Sequence, residues 1–132
     1  MKVMLDTNII LDVWLARKPY WENSASLLAK VENKKLTGYL CPTTITTLHY
    51  LGRKALGENK IRSLLKLLLN ICKVGQMSSK VFEIALSSDV KDFEDAVVEA
   101  VSIKCGVDLI ITRNVKDFKY SKIPAKEPGY LL

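Results

Sequence analysis

Residues 2–12 read KVMLDTNIILD. Lys2 to Leu5 form a short apolar run that reads as a buried strand. Asp6 ends it, Thr7 and Asn8 follow, and apolar residues then recur at 9, 10, 13 and 14, the spacing of one helical face. A strand turns directly into a helix, with a carboxylate at the joint. Burying a bare carboxylate is costly, so Asp6 needs a compensating partner.

The same alternation continues along the chain. Residues 22–35 have helical spacing and end near Gly38, and 37–42 (TGYLCP) read as a second strand closed by Pro42. Residues 43–56 carry Thr and Ile, which favour strands. Ile45, Leu48, Leu51 and Leu56 nevertheless fit a helix, which is the expectation, with Gly57 ending it. An amphipathic helix is expected over 59–70 and a third strand over 71–77. Ser78 or Ser79 can cap a helix over 80–88. A further helix covers 93–105, closed by Gly106. VDLIIT, residues 107–112, is short and β-branched, as buried parallel strands are. RNVKDF is expected to be a loop. Prolines confine the tail, 122–132, to a sheet edge.

Strands alternating with helices predict an α/β fold with a mainly parallel sheet. The length, 132 residues, fits a single domain spanning 1–132, and no composition shift marks a linker. Hydrophobic content of 48% supports an ordinary core without staples. The three cysteines, Cys41, Cys72 and Cys105, lie apart in apolar contexts and read as core thiols of a reducing compartment. The most apolar later stretch, IRSLLKLLLNI, is too short to span a bilayer and contains Arg62 and Lys66. A soluble, cytoplasmic protein with no membrane partner is expected. The net charge of +6 suits a polyanion such as RNA or DNA, and equally a plain basic surface.

Parallel sheets place ligands at the carboxyl ends of their strands, near a change in strand order. Asp6 stands at such an end. So does Thr112-Arg113-Asn114, after the strand VDLII. Asp117 follows three residues later; by itself it reads as a turn aspartate. In DVKDFEDAVVEA, Asp92, Asp95 and Glu99 fall within one arc of a helix, and Glu94 projects away from it. Taken alone, an acid at a helix start is usually a cap or a solvated charge. Gathered at one sheet edge, such acids repel each other unless a cation intervenes. Mg²⁺ or Mn²⁺ suits hard oxygen ligands of this kind. A divalent ion there can activate water and stabilise a phosphodiester transition state.

Three stretches together, MKVMLDTNIILD, DFEDAVVEA and DLIITRNVKDF, resemble the PIN domain family, in particular the VapC-like toxin ribonucleases. The resemblance covers essentially the whole chain. It implies an α/β/α sandwich around a mainly parallel sheet, metal-dependent cleavage of RNA, a cognate antitoxin and a homodimer. By resemblance, Asp6 is the first-strand metal ligand and Asp95 the acid of the late helix. The fourth-strand acid falls on Asn114, with Asp117 as the nearby alternative. Asn8 and Thr112 match small polar positions lining the same site, and Arg113 lies in the site loop, placed for substrate. One departure stands out: many members carry a Glu in the helix after the second strand. Here that position holds Thr47, or His49 if the register shifts by two. One subgroup resembles this chain in lacking the Glu, and Asp92 is the candidate replacement, with Glu94 if the helix starts after it.

The alternative is a non-catalytic PIN-like module that binds RNA or protein, which the missing Glu supports. A receiver-like phosphoacceptor domain fits poorly, because a single Asp6 ends the first strand and TRN stands after the late strand where receivers normally have a lysine. His49, the only histidine, is more readily a hydrogen-bonded helix residue than a ligand. Tyr20 and Trp21, beside Arg17 and Lys18, can stack on bases or simply pack. Arg53, Lys54, Lys60 and Arg62 are candidate phosphate contacts or a solvated helix face.

Overall fold

The computed structural model describes residues 1–132. Its five strands are β1 (Lys2–Leu5), β2 (Thr37–Leu40), β3 (Cys72–Val74), β4 (Leu109–Ile111) and β5 (Ala125–Lys126). They form one all-parallel sheet in the order β3-β2-β1-β4-β5. The chain winds outward from β1 to β3, then crosses to the far side of β1 to lay down β4 and β5. That reversal is a topological switch point, and a crevice opens there outside the carboxyl ends of β1 and β4.

Val3 and Leu5 of β1, with Leu109 and Ile111 of β4, enter one core; Met4 and Ile110 enter the other. All six are buried. Burial on both faces explains why these strands read as continuous apolar runs. The first core packs under α1 (Thr7–Trp14), α2 (Trp21–Glu32), α3 (Pro42–Leu56) and α4 (Glu58–Ile71). The second packs under α5 (Ser79–Leu86) and α6 (Phe93–Cys105). The three-layer α/β/α architecture expected from the sequence is therefore the one observed, with every strand parallel.

Several boundaries sharpen the sequence reading. Pro42 does not close β2; it opens α3, in the first turn, where its missing N–H leaves no hydrogen bond unmade. The Thr-rich segment 43–56 is helical because Thr44, Leu48 and Gly52 present one buried face. Ser78, rather than Ser79, caps α5 by accepting from the Val81 N–H. Gly106, at φ 69°, ends α6 in the left-handed conformation that a side chain disfavours. Gly52 lets α4 approach α3: an added Cβ would lie 2.3 Å from Ile61 Cδ1. The loop after β4 contains a 3₁₀ turn, Val115–Phe118, pinned by the buried ring of Phe118. β5 takes the sheet edge, as the tail prolines require. No helix is long and apolar enough to cross a membrane. All three cysteines are free, and burial pushes the Cys72 thiol up to about 12, as in an inert packing residue.

Candidate active site at the carboxyl ends of β1 and β4

Asp6 is the residue between β1 and α1, and it is 9% exposed. It is held by both neighbours of the switch point. Its backbone N–H donates to Ile111 O of β4 at 3.0 Å. Its side chain caps α1, with Oδ1 accepting from the Thr7 N–H at 2.9 Å. Oδ2 accepts from Thr112 Oγ1 at 2.7 Å and Asn8 Nδ2 at 3.3 Å. A carboxylate offers about four lone-pair sites, so these three donors leave one open on Oδ1. Burial raises the Asp6 pKa, and the three hydrogen bonds pull it back.

Thr112 and Asn8 are positioned to orient Asp6. Thr112 is fully buried; besides donating to Asp6, its hydroxyl accepts from the Asn114 N–H at 3.0 Å. Asn8 Oδ1 accepts from the Arg113 N–H at 3.1 Å, tying α1 to the loop after β4. The one Thr112 hydroxyl is thus committed to Asp6 and to the Asn114 N–H, with no exposure.

The second carboxylate is Asp95, in the first turn of α6. Its pKa is raised to about 7, first by burial and then by repulsion from Asp6, Asp92, Asp117 and Glu94. Asp6, Asp95 and Asp117 thus share one electrostatic field, assembled from β1, α6 and the 3₁₀ turn. Asp92 does not share a helix face with Asp95, as the helical-arc reading expected. It precedes α6 as its N-cap, accepting from the Asp95 N–H at 3.0 Å, and acts on the cluster through its charge. Asn114 is exposed and begins the 3₁₀ turn; Asp117 is exposed one turn later, its N–H donating to Asn114 O at 3.0 Å.

Other acids and bases are occupied elsewhere. Glu99 is buried but turns away from the cluster, accepting from Ser88 Oγ and from the Lys122 N–H. His49 is on the outer side of α3, 2.7 Å from Glu58, which also pairs with Arg62. These partners hold the Glu58 carboxyl below its usual range. Thr47 supplies no acid on α3, and Thr44 instead bonds Thr7 through their hydroxyls at 3.2 Å. Arg53 lies nine residues beyond Thr44, about 14 Å along the helix, so the α3–α4 cations stand apart from the acids.

Asp12 was not singled out from the sequence. It is fully buried and takes a two-pronged ion pair from Arg113, with Nε and Nη2 at 2.9 and 3.0 Å. Arg17 approaches it at 3.5 Å. The Asp12 hydrogen bonds raise the Arg113 pKa further. Arg113 also lies over the Tyr20 ring, 4.1 Å from its centre. A signal was present: Asp12 follows Ile9 by three residues, on the helical face that α1 buries. Trp21, grouped with Tyr20 in the sequence, begins α2 partly buried.

No three carboxylates approach closely enough to enclose an ion unaided. Mg²⁺ usually keeps several waters and takes one or two carboxylates. The open lone pair on Asp6, the self-repelling charge on Asp95 and the all-oxygen donor set fit such a hydrated divalent ion.

The family model described as PIN domain matches residues 2–116. The chain belongs to the PIN domain family. No curated protein sequence matches it closely. Solved structures share the fold at low identity. VapBC2 from Rickettsia felis, bound to a promoter DNA fragment, aligns with TM-score 0.73 and 18% identity, covering 96% of this chain and 98% of that one. A toxin–antitoxin complex from Klebsiella pneumoniae aligns with TM-score 0.72 and 21% identity, covering 96% and 97%. VapC20 of Mycobacterium tuberculosis, a toxin that cleaves the sarcin-ricin loop, aligns with TM-score 0.66 and 16% identity, covering 82% and 86%.

Proposed function

We propose that this chain is a divalent-metal-dependent endoribonuclease, the toxin of a toxin–antitoxin pair. The observation that carries the reading is the cluster of Asp6, Asp95 and Asp117 at the switch point, where burial first and the neighbouring carboxylates second raise Asp95 to about 7. Asp6 and Asp95 would hold Mg²⁺ or Mn²⁺, with Asp117, Asn114 and Asp92 acting through water or charge. When bound, the ion lowers the pKa of a coordinated water and offsets charge on the scissile phosphodiester. Thr112 and Asn8 hold Asp6 in one orientation, and Arg113 sets the adjoining wall through Asp12. The net charge of +6 attracts the RNA backbone.

A cognate antitoxin and a homodimer belong to the same reading. Structural relatives include toxin–antitoxin complexes. Phe82, Leu86 and Phe93, exposed on α5 and at the start of α6, offer apolar surface for self-association. The competing reading is a non-catalytic module that binds RNA or protein, and the absence of an acid at Thr47 favours it.

RNA cleavage in Mg²⁺ and in EDTA separates the two. Metal-dependent cleavage that falls to background in Asp6→Ala is expected. Equal cleavage by both proteins, or tight RNA binding without turnover, refutes the nuclease reading. A short neighbouring reading frame whose product binds and silences the protein is the test of the toxin role.

A further inference from the structure

A cleft of about 840 Å³ opens beside the acids, between the entry to α2, the 3₁₀ turn after β4 and the C-terminal segment. Asp6 and Asp95 do not line it, but Asn114 and Asp117 stand in its wall, and the Asp117 charge reaches both of those acids. Its volume is within the ~300–1,000 Å³ range of small-ligand sites.

Two cation–aromatic pairs stand in the wall. Arg113 lies over Tyr20, and Lys126 Nζ lies 5.0 Å from the centre of the Tyr130 ring. Both tyrosines are exposed, Tyr130 by 62%. Asp12 holds the Arg113 guanidinium in place, so its side of the cleft is built in advance. Deeper in the wall, Ser24 is 1% exposed, and its hydroxyl is the only buried side-chain polar atom without a hydrogen-bond partner. Buried polar groups are normally satisfied. An orphan hydroxyl beside two ring–cation pairs matches a ligand with a flat face, a polar edge and a negative charge.

We propose that this cleft is a nucleotide subsite that takes one unpaired base of single-stranded RNA, next to the phosphodiester presented to the acids. The base stacks on the tyrosine walls, its polar edge meets Ser24, and Arg113 and Lys126 face the backbone. Aromatic rings paired with cations are the usual platform for unpaired bases. The proposal rests on the nuclease reading for its substrate class, and adds where the neighbouring nucleotide is held.

The test is anisotropy of a short fluorescein-labelled single-stranded RNA with the full chain in EDTA, where metal-dependent cleavage does not interfere. The same RNA with its central bases removed is the second ligand. Tyr130→Ala should weaken binding to intact RNA about 10-fold, the scale of one lost stack. Tyr130→Phe, which keeps the ring, should restore it. Wild type should prefer intact over abasic RNA, and Tyr130→Ala should lose that preference. Equal binding of both RNAs by wild type and Tyr130→Ala overturns the subsite. So does unchanged RNA binding in Tyr130→Ala combined with lost binding of a neighbouring-gene protein, which assigns the cleft to that partner. Base-dependent binding without Mg²⁺-dependent cleavage supports the subsite and refutes the nuclease reading. Cleavage without base-dependent binding does the reverse.

Discussion

Asp95→Asn should stabilise the protein above neutral pH in the absence of metal. The Asp95 carboxyl is raised from the ordinary aspartate value of 3.8 to about 7 in the fold by burial and by Asp6, Asp92, Asp117 and Glu94. The folded state therefore binds this proton more tightly than the unfolded chain. Stability from this group is greatest below pH 3.8, falls as pH rises, and is fully lost above about 7. Unscreened, a shift of this size would cost about 4 kcal/mol at ~1.4 kcal/mol per unit. Asp95 still touches water, so screening reduces this to about 1–2 kcal/mol. The amide has nearly the same shape and no charge. In EDTA, urea or thermal unfolding should show wild type and Asp95→Asn converging toward pH 3.8 and diverging steadily between there and about 7. Above neutral pH the variant should be more stable by about 1–2 kcal/mol, or ~4–8 °C in Tm. Because both proteins share every other titrating group, their difference isolates Asp95. Millimolar Mg²⁺ should raise wild type toward the variant and leave the variant nearly unmoved. A wild type at least as stable as Asp95→Asn above neutral pH in EDTA, or a difference independent of pH, refutes a self-repelling acid cluster.

Arg113→Met should cost about 3–5 kcal/mol, because Asp12 would remain buried with only the 3.5 Å contact from Arg17. Adding Asp12→Asn should recover most of it in urea denaturation, and equal losses in the single and double variants would count against the buried pair. Gly52→Ala gains ~1 kcal/mol of helix propensity but drives its Cβ to 2.3 Å from Ile61 Cδ1, a clash worth ~1–3 kcal/mol. Thermal melts should show a net loss that Ile61→Val relieves; a stabilised single variant would mean that α3 and α4 separate freely.

The fold was legible because its central strands are buried on both faces and end at punctuating residues. Leu5-Asp6, Ser78 and Gly106 mark joints that local chemistry alone explains. Asp6 and Asp95 were legible for a related reason, since acids at a strand end and a helix start stand out against apolar surroundings. The finer assignments depended on packing between distant segments. Whether Asp92 lay on the helix or capped it turned on one residue of register. Thr112 looked like a site-lining polar residue, and only its burial beneath Asp6 made it an orienting one. Asp12 and Arg113 are 101 positions apart, so no local window could pair them.

The missing acid on α3 bears on which residue completes the proposed site after β4. Asn114, at the head of the 3₁₀ turn, carries no charge, and its N–H is committed to Thr112. Asp117 raises the pKa of both Asp6 and Asp95, so its charge reaches both. Side chains three residues apart in a 3₁₀ turn eclipse one another, and the Asp117 N–H bonds Asn114 O across that turn. With Thr44 tied to Thr7 on the α3 side, the negative charge is drawn toward β4 and α6. A cation held there would face the same side as the Tyr20–Arg113 cleft, which is where the proposed subsite places the substrate's neighbouring base.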